Sequence, residues 1–200
     1  LAAGLLACGA AVADQTWEGD TDTDFENGGN WVSGSAPTDD TTTDKAVFSG
    51  TTTYLPLLTK NRGVAGLSFG AGTRSLFDSG TVYTLDIGTY GVQATGAAYN
   101  TLGSSAILSI SGLTDVKQGG GGGYNQGHLI IESKITGTGG LNLAGTKMNN
   151  YQTPIYLRGD NDFTGGVTLQ KAAYVHYGHA NAFGSEPNMV VTVVGSNTGQ

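Results

Sequence analysis

Asp20, Asp22 and Asp24 alternate as the first ligands of a calcium loop do, where carboxylates at positions one, three and five converge on a hard cation. The spacing then fails. Phe25 occupies the sixth position, where glycine makes the turn, and Trp31 the twelfth, where a bidentate glutamate closes the shell. The triplet reads as a solvated acidic loop, with an adventitious calcium site as the weaker alternative. His176 and His179 have metal-like spacing, yet no cysteine or further histidine stands beside them, so they are expected at the surface near a corner. Asp160 and Asp162 flank Asn161 and could supply the paired carboxylates of sugar chemistry. Short polar side chains at a corner also close a turn by bonding their own backbone, which is the stronger reading. Tyr151, Tyr156, Tyr174 and Tyr177 could stack on sugars, although aromatic residues in strands are usually packing groups. The glycine run 119–123 lacks a following Lys and Ser or Thr, and in 140–147 Thr146 precedes the lysine. Neither makes a phosphate loop, so no nucleotide is expected. No catalytic, cofactor-binding or metal-ligating residue is assigned.

The elements that must position these groups are short strands. Among 200 residues there are 34 glycines and 26 threonines, while charged residues make up 12%, about half the usual ~25%. That composition argues against a coiled coil, a charge-rich disordered chain or a nucleic-acid binder. Residues 1–45 hold nine acids and one base, a net −8, and residues 46–200 hold seven acids and eight bases, a net +1. The body has no basic stripe for phosphates or an anionic membrane. Residues 64–69, 82–87 and 106–110 alternate apolar and polar between Gly, Ser and Thr, which predicts strands. No window supports a helix.

An internal repeat appears at an offset of 26. Thr138 to Leu143 recur as Thr164 to Leu169, and Leu129, Ile130 and Ile131 recur as Ile155, Tyr156 and Leu157. Two segments sharing one offset, with two or three strands per unit, describe about one coil of a parallel β-solenoid. Each strand would pair with its equivalent one coil away, and alternate side chains would fill a narrow apolar interior. Leu143 and Leu169 are therefore expected to face inward, one above the other, with Thr168 on the opposite face. The clearest repeat spans 128–194, and the solenoid as a whole is expected over 51–200.

The motif resembles a family, the autotransporter-associated β-strand repeat of large exported bacterial proteins, also called the passenger-associated transport repeat. The likeness runs from Ile135, Gly137, Gly139, Gly140 and Leu141 through Leu157, Gly159, Asn161, Phe163, Thr164, Gly165, Gly166, Val167 and Thr168. It continues to Gly178, Ala180, Asn181, Ala182, Phe183 and Gly184, and ends in a strand at 190–194. Phe183 stands where leucine is usual, and 147–153 is looser than the pattern. Residues 14–50, with Trp17, Gly28, Gly29, Asn30, Trp31, Pro37, Asp44, Ala46, Val47 and Phe48, resemble the leader module that precedes such repeats. The resemblance implies an all-β chain, a right-handed parallel β-helix serving as exported passenger or cell-surface stalk, with no family-wide catalytic residue. The translocator barrel or sorting signal of such proteins is not in this sequence, which reads as an N-terminal fragment.

Residues 1–13 are apolar and small, and Ala11, Val12 and Ala13 before Asp14 satisfy the small-x-small rule for signal cleavage. Leu5, Leu6, Ala7 and Cys8 also resemble a lipobox, so acylation of Cys8 is the alternative. The mature chain, without a membrane span, is expected outside the cytoplasm. Cys8 is the single cysteine, so no intrachain disulfide can form. Three classes of function follow: a structural or adhesive exported protein, a β-helix enzyme acting on polysaccharide, and a carbohydrate-binding module. Surface glycans or the cell envelope are the expected partners, and no cofactor is expected.

Overall fold

The computed structural model describes residues 12–72, 74–119, 127–145, 147–148, 151–170, 173–185 and 190–195. Residues 1–11, with Cys8 and most of the expected signal segment 1–13, and most of the glycine run lie outside the described residues. The chain is a parallel β-solenoid almost wholly of strands, and no helix among the described residues is long and apolar enough to cross a membrane.

Two strands open the stack, β1 (Ala13–Trp17) and β2 (Asp44–Phe48). The coils then follow as β3 (Arg62–Phe69) with β4 (Arg74–Leu76), and β5 (Tyr83–Ala94) with β6 (Tyr99–Leu102). Next come β7 (Ala106–Ile110), β8 (Thr114–Gln118) and β9 (His128–Ile131), then β10 (Lys134–Thr136) and β11 (Leu141–Gly145). A small antiparallel hairpin of β12 (Lys147–Met148) and β13 (Tyr151–Gln152) leaves the stack, which is the physical source of the loose motif there. The chain returns through β14 (Pro154–Leu157), β15 (Val167–Leu169), β16 (Tyr174–Tyr177) and β17 (Val191–Val193).

One sheet runs β1-β2-β3-β5-β8-β11-β15-β17, with β7 beside β5 and β10 beside β7, and the other runs β4-β6-β9-β14-β16. The leader is thus continuous with the solenoid, because β1 pairs in parallel with β2 and β2 with β3. The twelve residues of β5 turn a corner: Tyr83–Ile87 lie along β7 and Val92–Ala94 along β8. Gly91 makes the bend at φ +63, where a Cβ would meet the Asp115 carbonyl oxygen at 1.9 Å.

The 26-residue repeat is the stacking register. Leu141 pairs with Val167 and Leu143 with Leu169, while Leu129 pairs with Ile155 and Ile131 with Leu157. Leu143 is buried and Leu169 packs partly buried against the same core, while Thr168, in register with Asn142, is half-buried. The repeated Gly-Gly pairs have a direct cause: a Cβ on Gly165 would sit 2.4 Å from the Gly139 carbonyl carbon. Coils can approach there only without side chains.

At the leader end, Trp17, Phe25, Trp31, Phe48, Phe69 and Phe77 form an aromatic plug. Trp17 meets Trp31 edge-on at 5.0 Å, Phe25 meets Trp31 at 4.9 Å, and Phe48 stacks on Phe69 at 5.7 Å. Isolated in sequence, these rings converge because β1, β2 and β3 place Trp17, Phe48 and Phe69 in one inward column.

Candidate functional site

Asp20 of the acidic triplet is exposed, whereas Asp22 and Asp24 belong to a hydrogen-bonded knot around Asn30. This fully buried amide accepts from the Thr21 and Asp22 backbone N–H groups at 3.0 Å and donates to Asp22 Oδ1 at 2.7 Å and the Asp24 carbonyl at 2.9 Å. The Asn30, Asn27 and Asp24 donors hold the Asp22 carboxyl below the usual range. Asp24 accepts from Glu26 N–H and from the Thr59 hydroxyl. The carboxylates shape the leader, and among the described residues no three His, Cys, Asp or Glu side chains gather as a metal would require.

The 160–162 corner works across coils. Asn161 is buried, accepts from Ile135 N–H at 2.7 Å and donates to the Ala182 carbonyl at 2.8 Å, so one amide stitches two neighbouring coils. The expected bond to its own backbone is replaced by these, because stacking brings unpaired corner groups of adjacent coils closer than local ones. Asp162 pairs with Lys134 at 2.6 Å, which holds its carboxyl below the usual range, and exposed Asp160 accepts from Asn181 Nδ2 at 2.8 Å. A general acid for glycoside cleavage needs its pKa raised. Asp162 is shifted the other way.

The histidines are separated. His179 sits at the exposed corner with its Nδ1 accepting from Asn181 N–H at 3.2 Å. His176 lies instead in a column of rings on the outer face of the second sheet. Tyr99 and His128 lie 4.2 Å apart, His128 and Tyr156 5.3 Å, Tyr156 and His176 4.6 Å, and His176 and Tyr174 4.7 Å. Tyr156 and His176 are parallel within 8°, and Arg158 lies over the Tyr156 ring at 5.2 Å. Parallel pairing places Tyr156 and His176 one coil apart and stacks them face to face, whereas Tyr174 shares a strand with His176 and meets it edge-on, and Tyr99 and Tyr174 stay exposed. Tyr177 lies tilted 5.9 Å from Phe183 and is 71% exposed, and the side chain of Tyr151 lies outside the described residues.

A second arrangement has no motif in the sequence. The segment 50–57 and the strand β4 with its following turn enclose two adjoining cavities, about 330 Å³ and 280 Å³, which share Thr53 and Leu55 as walls. Arg74 lines the larger and Tyr54, Phe77 and Asp78 the smaller. Phe77 is buried with φ 58, a left-handed conformation rare for a bulky side chain and found where the surroundings impose it. Its N–H donates to the Pro56 carbonyl at 3.2 Å, which ties the turn to the opposite wall. The one sequence signal is phase: Arg74 stands two residues before buried Leu76, where an apolar side chain is expected.

No family model, no characterised protein and no solved structure matches this chain.

Proposed function

We propose that this chain is a stretch of exported structural scaffold or adhesive stalk. The observation that carries the reading is the continuous parallel ladder from β1 to β17, in which each coil presents the same outer faces to its surroundings. Such a stack gives a long surface suited to spacing or to many weak contacts. The small-x-small site before Asp14 supports export, and the Gly-Gly and corner motifs, which resemble those of autotransporter-associated repeats, support display at a cell surface or in the envelope.

Deletion of the gene from its host is expected to alter surface attachment or envelope organisation and to leave polysaccharide breakdown unchanged. Release of reducing ends or unsaturated sugars from pectin-like polymers by the purified protein, abolished by Asp160→Ala or Asp162→Ala, would replace the scaffold reading with an enzyme. Intact mass of the exported form tests the route: a chain starting at Asp14 supports ordinary cleavage, and a diacylglyceryl group on Cys8 refutes it.

A further inference from the structure

Two buried arginines occupy neighbouring strands, and their surroundings differ in one respect. Arg62 places Nη1 2.5 Å from Glu26 Oε1, donates Nη2 to the Pro37 carbonyl at 2.5 Å and lies 4.5 Å over the Phe25 ring. Its charge is matched by a carboxylate. Arg74, 5% exposed, donates Nη1 to the Ala71 and Gly72 carbonyls at 2.9 and 3.0 Å and Nη2 to the Gly50 carbonyl. No carboxylate lies within ion-pair distance of it among the described residues, and its buried Nε has no hydrogen-bond partner. Its register partner in the next coil, Asn100, is neutral and likewise unsatisfied at both amide atoms.

A guanidinium cannot discharge by losing its proton at ordinary pH, so a buried one demands compensation. Three carbonyl dipoles solvate Arg74 but supply no full negative charge. Burial pulls its pKa below the ordinary guanidinium range, the direction expected of a cation without a counter-ion. The side chain nevertheless forms one wall of the 330 Å³ cavity, whose other walls include Thr51, Thr52 and Thr53.

We propose that this cleft binds an oxyanion, the carboxylate or sulfate of an acidic ligand, with Arg74 as its counter-charge and the threonine hydroxyls as further donors. Nη1 is committed to two carbonyls and Nε is buried, so the guanidinium offers the anion its full charge and its remaining Nη2 hydrogen. The adjoining cavity, walled by Tyr54 and Leu55, gives the rest of an acidic sugar an amphipathic seat; both side chains are partly exposed. The site does not depend on the scaffold reading, since any parent activity leaves Arg74 equally uncompensated.

Trp17 Nε1 donates to the Tyr54 carbonyl at 2.9 Å, so tryptophan emission reports on the cleft wall. The full chain is titrated with sodium sulfate, sodium acetate, trigalacturonate and a neutral trisaccharide at constant ionic strength. A saturable change with an acidic probe, none with the neutral one, and at least tenfold weakening in Arg74→Gln are expected. Should Arg74→Gln misfold, the exposed Leu55 supplies a test of both signs: Leu55→Glu abolishes binding and Leu55→Lys strengthens it severalfold. Trigalacturonate binding tighter than sulfate or acetate assigns the site to an acidic glycan, and equal binding assigns it to a free oxyanion; both uphold the proposal. No saturable response to any acidic probe, or a response unchanged in Arg74→Gln and in both Leu55 variants, overturns it.

Discussion

The leader end and the last described coil differ in how their interiors are covered. Each coil's interior is sealed by its neighbour, so the first coil needs something else. At the leader end, the segment after the acidic knot folds back: Val32 N–H donates to the Thr16 carbonyl at 2.9 Å, Glu18 N–H to the Asn30 carbonyl at 2.8 Å, and Trp17 bridges Trp31 in antiparallel fashion. The C-terminal end of the β1 edge, at Thr16 and Trp17, is thereby covered and its inward ring capped. In the last described coil, Val191 and Val193 stand in register with inward-facing Val167 and Leu169, yet they are 42% and 74% exposed. Inward register creates a core only where another layer covers it.

Substitutions should divide along this line. Trp31→Ala removes a ring packed on Trp17, Phe25 and Phe48, together with the Nε1 bond to the Phe25 carbonyl at 2.9 Å, and is expected to cost ~3–5 kcal/mol in urea unfolding. Val193→Ala should stay within ~0.5 kcal/mol. Equal costs would mean that the last described coil is covered in solution. Midway, where coils cover each other on both sides, Leu143→Lys buries an unpaired charge and should cost ~3–5 kcal/mol. Thr168→Lys, on the outward phase, should cost less than ~1 kcal/mol; reversal of that order would shift the register by one residue.

A smaller contrast lies between two buried asparagines. Asn30→Ala strips the acceptor from the Thr21 and Asp22 N–H groups and is expected to cost ~2–3 kcal/mol. Asn161→Ala orphans the Ile135 N–H and the Ala182 carbonyl, for ~1–2 kcal/mol. Hydrogen exchange should locate the two losses separately, in β1 and the leader for the first and in β10 and the 160–184 corners for the second. Spread of either effect over the whole chain would show the ends to be one cooperative unit.

The strands and their phase are legible in sequence because alternation and the 26-residue offset are local patterns that stacking converts directly into register. Leu129 on Ile155 follows from counting. The leader plug is not legible: Trp17, Phe25, Trp31 and Phe48 share no period, and they meet only because two parallel strands and a returning turn bring them together. Buried polar residues are missed for a related reason. Asn161 and Arg74 look like surface residues by type, and only the corner geometry shows that their partners are backbone groups, of adjacent coils for Asn161 and of its own turn and Gly50 for Arg74. The cleft beside Arg74 is built from segments some twenty residues apart, which no motif records.

The smallest difference is between the leader and the ring column of the second sheet, in their response to acid. His128 is held neutral, its pKa pulled below the ordinary 6.5 by partial burial and by His176, and it sits in the ring column with Tyr99 and Tyr156. A base whose folded pKa is lowered leaves the unfolded chain binding the extra proton, so the column loses stability as pH falls below about 6.5. The leader depends on carboxylates shifted in the same direction with the opposite charge. Asp40 is lowered to about 2 by the Thr43 hydroxyl and the Thr42 N–H, and Asp22 is lowered by its amide donors. Their contribution is full above the ordinary 3.8 and is lost only as pH falls through about 4 toward 2. Both tryptophans lie in the plug. Acidification from pH 7 to 5 should therefore lower the protection factors of Ile130, Tyr156 and His176, each taken against its intrinsic rate at the same pH, while tryptophan emission stays constant, and emission should change only below about pH 4. A change in emission within the upper window would mean that the plug and the ring column loosen together, and the two regions would no longer be independent.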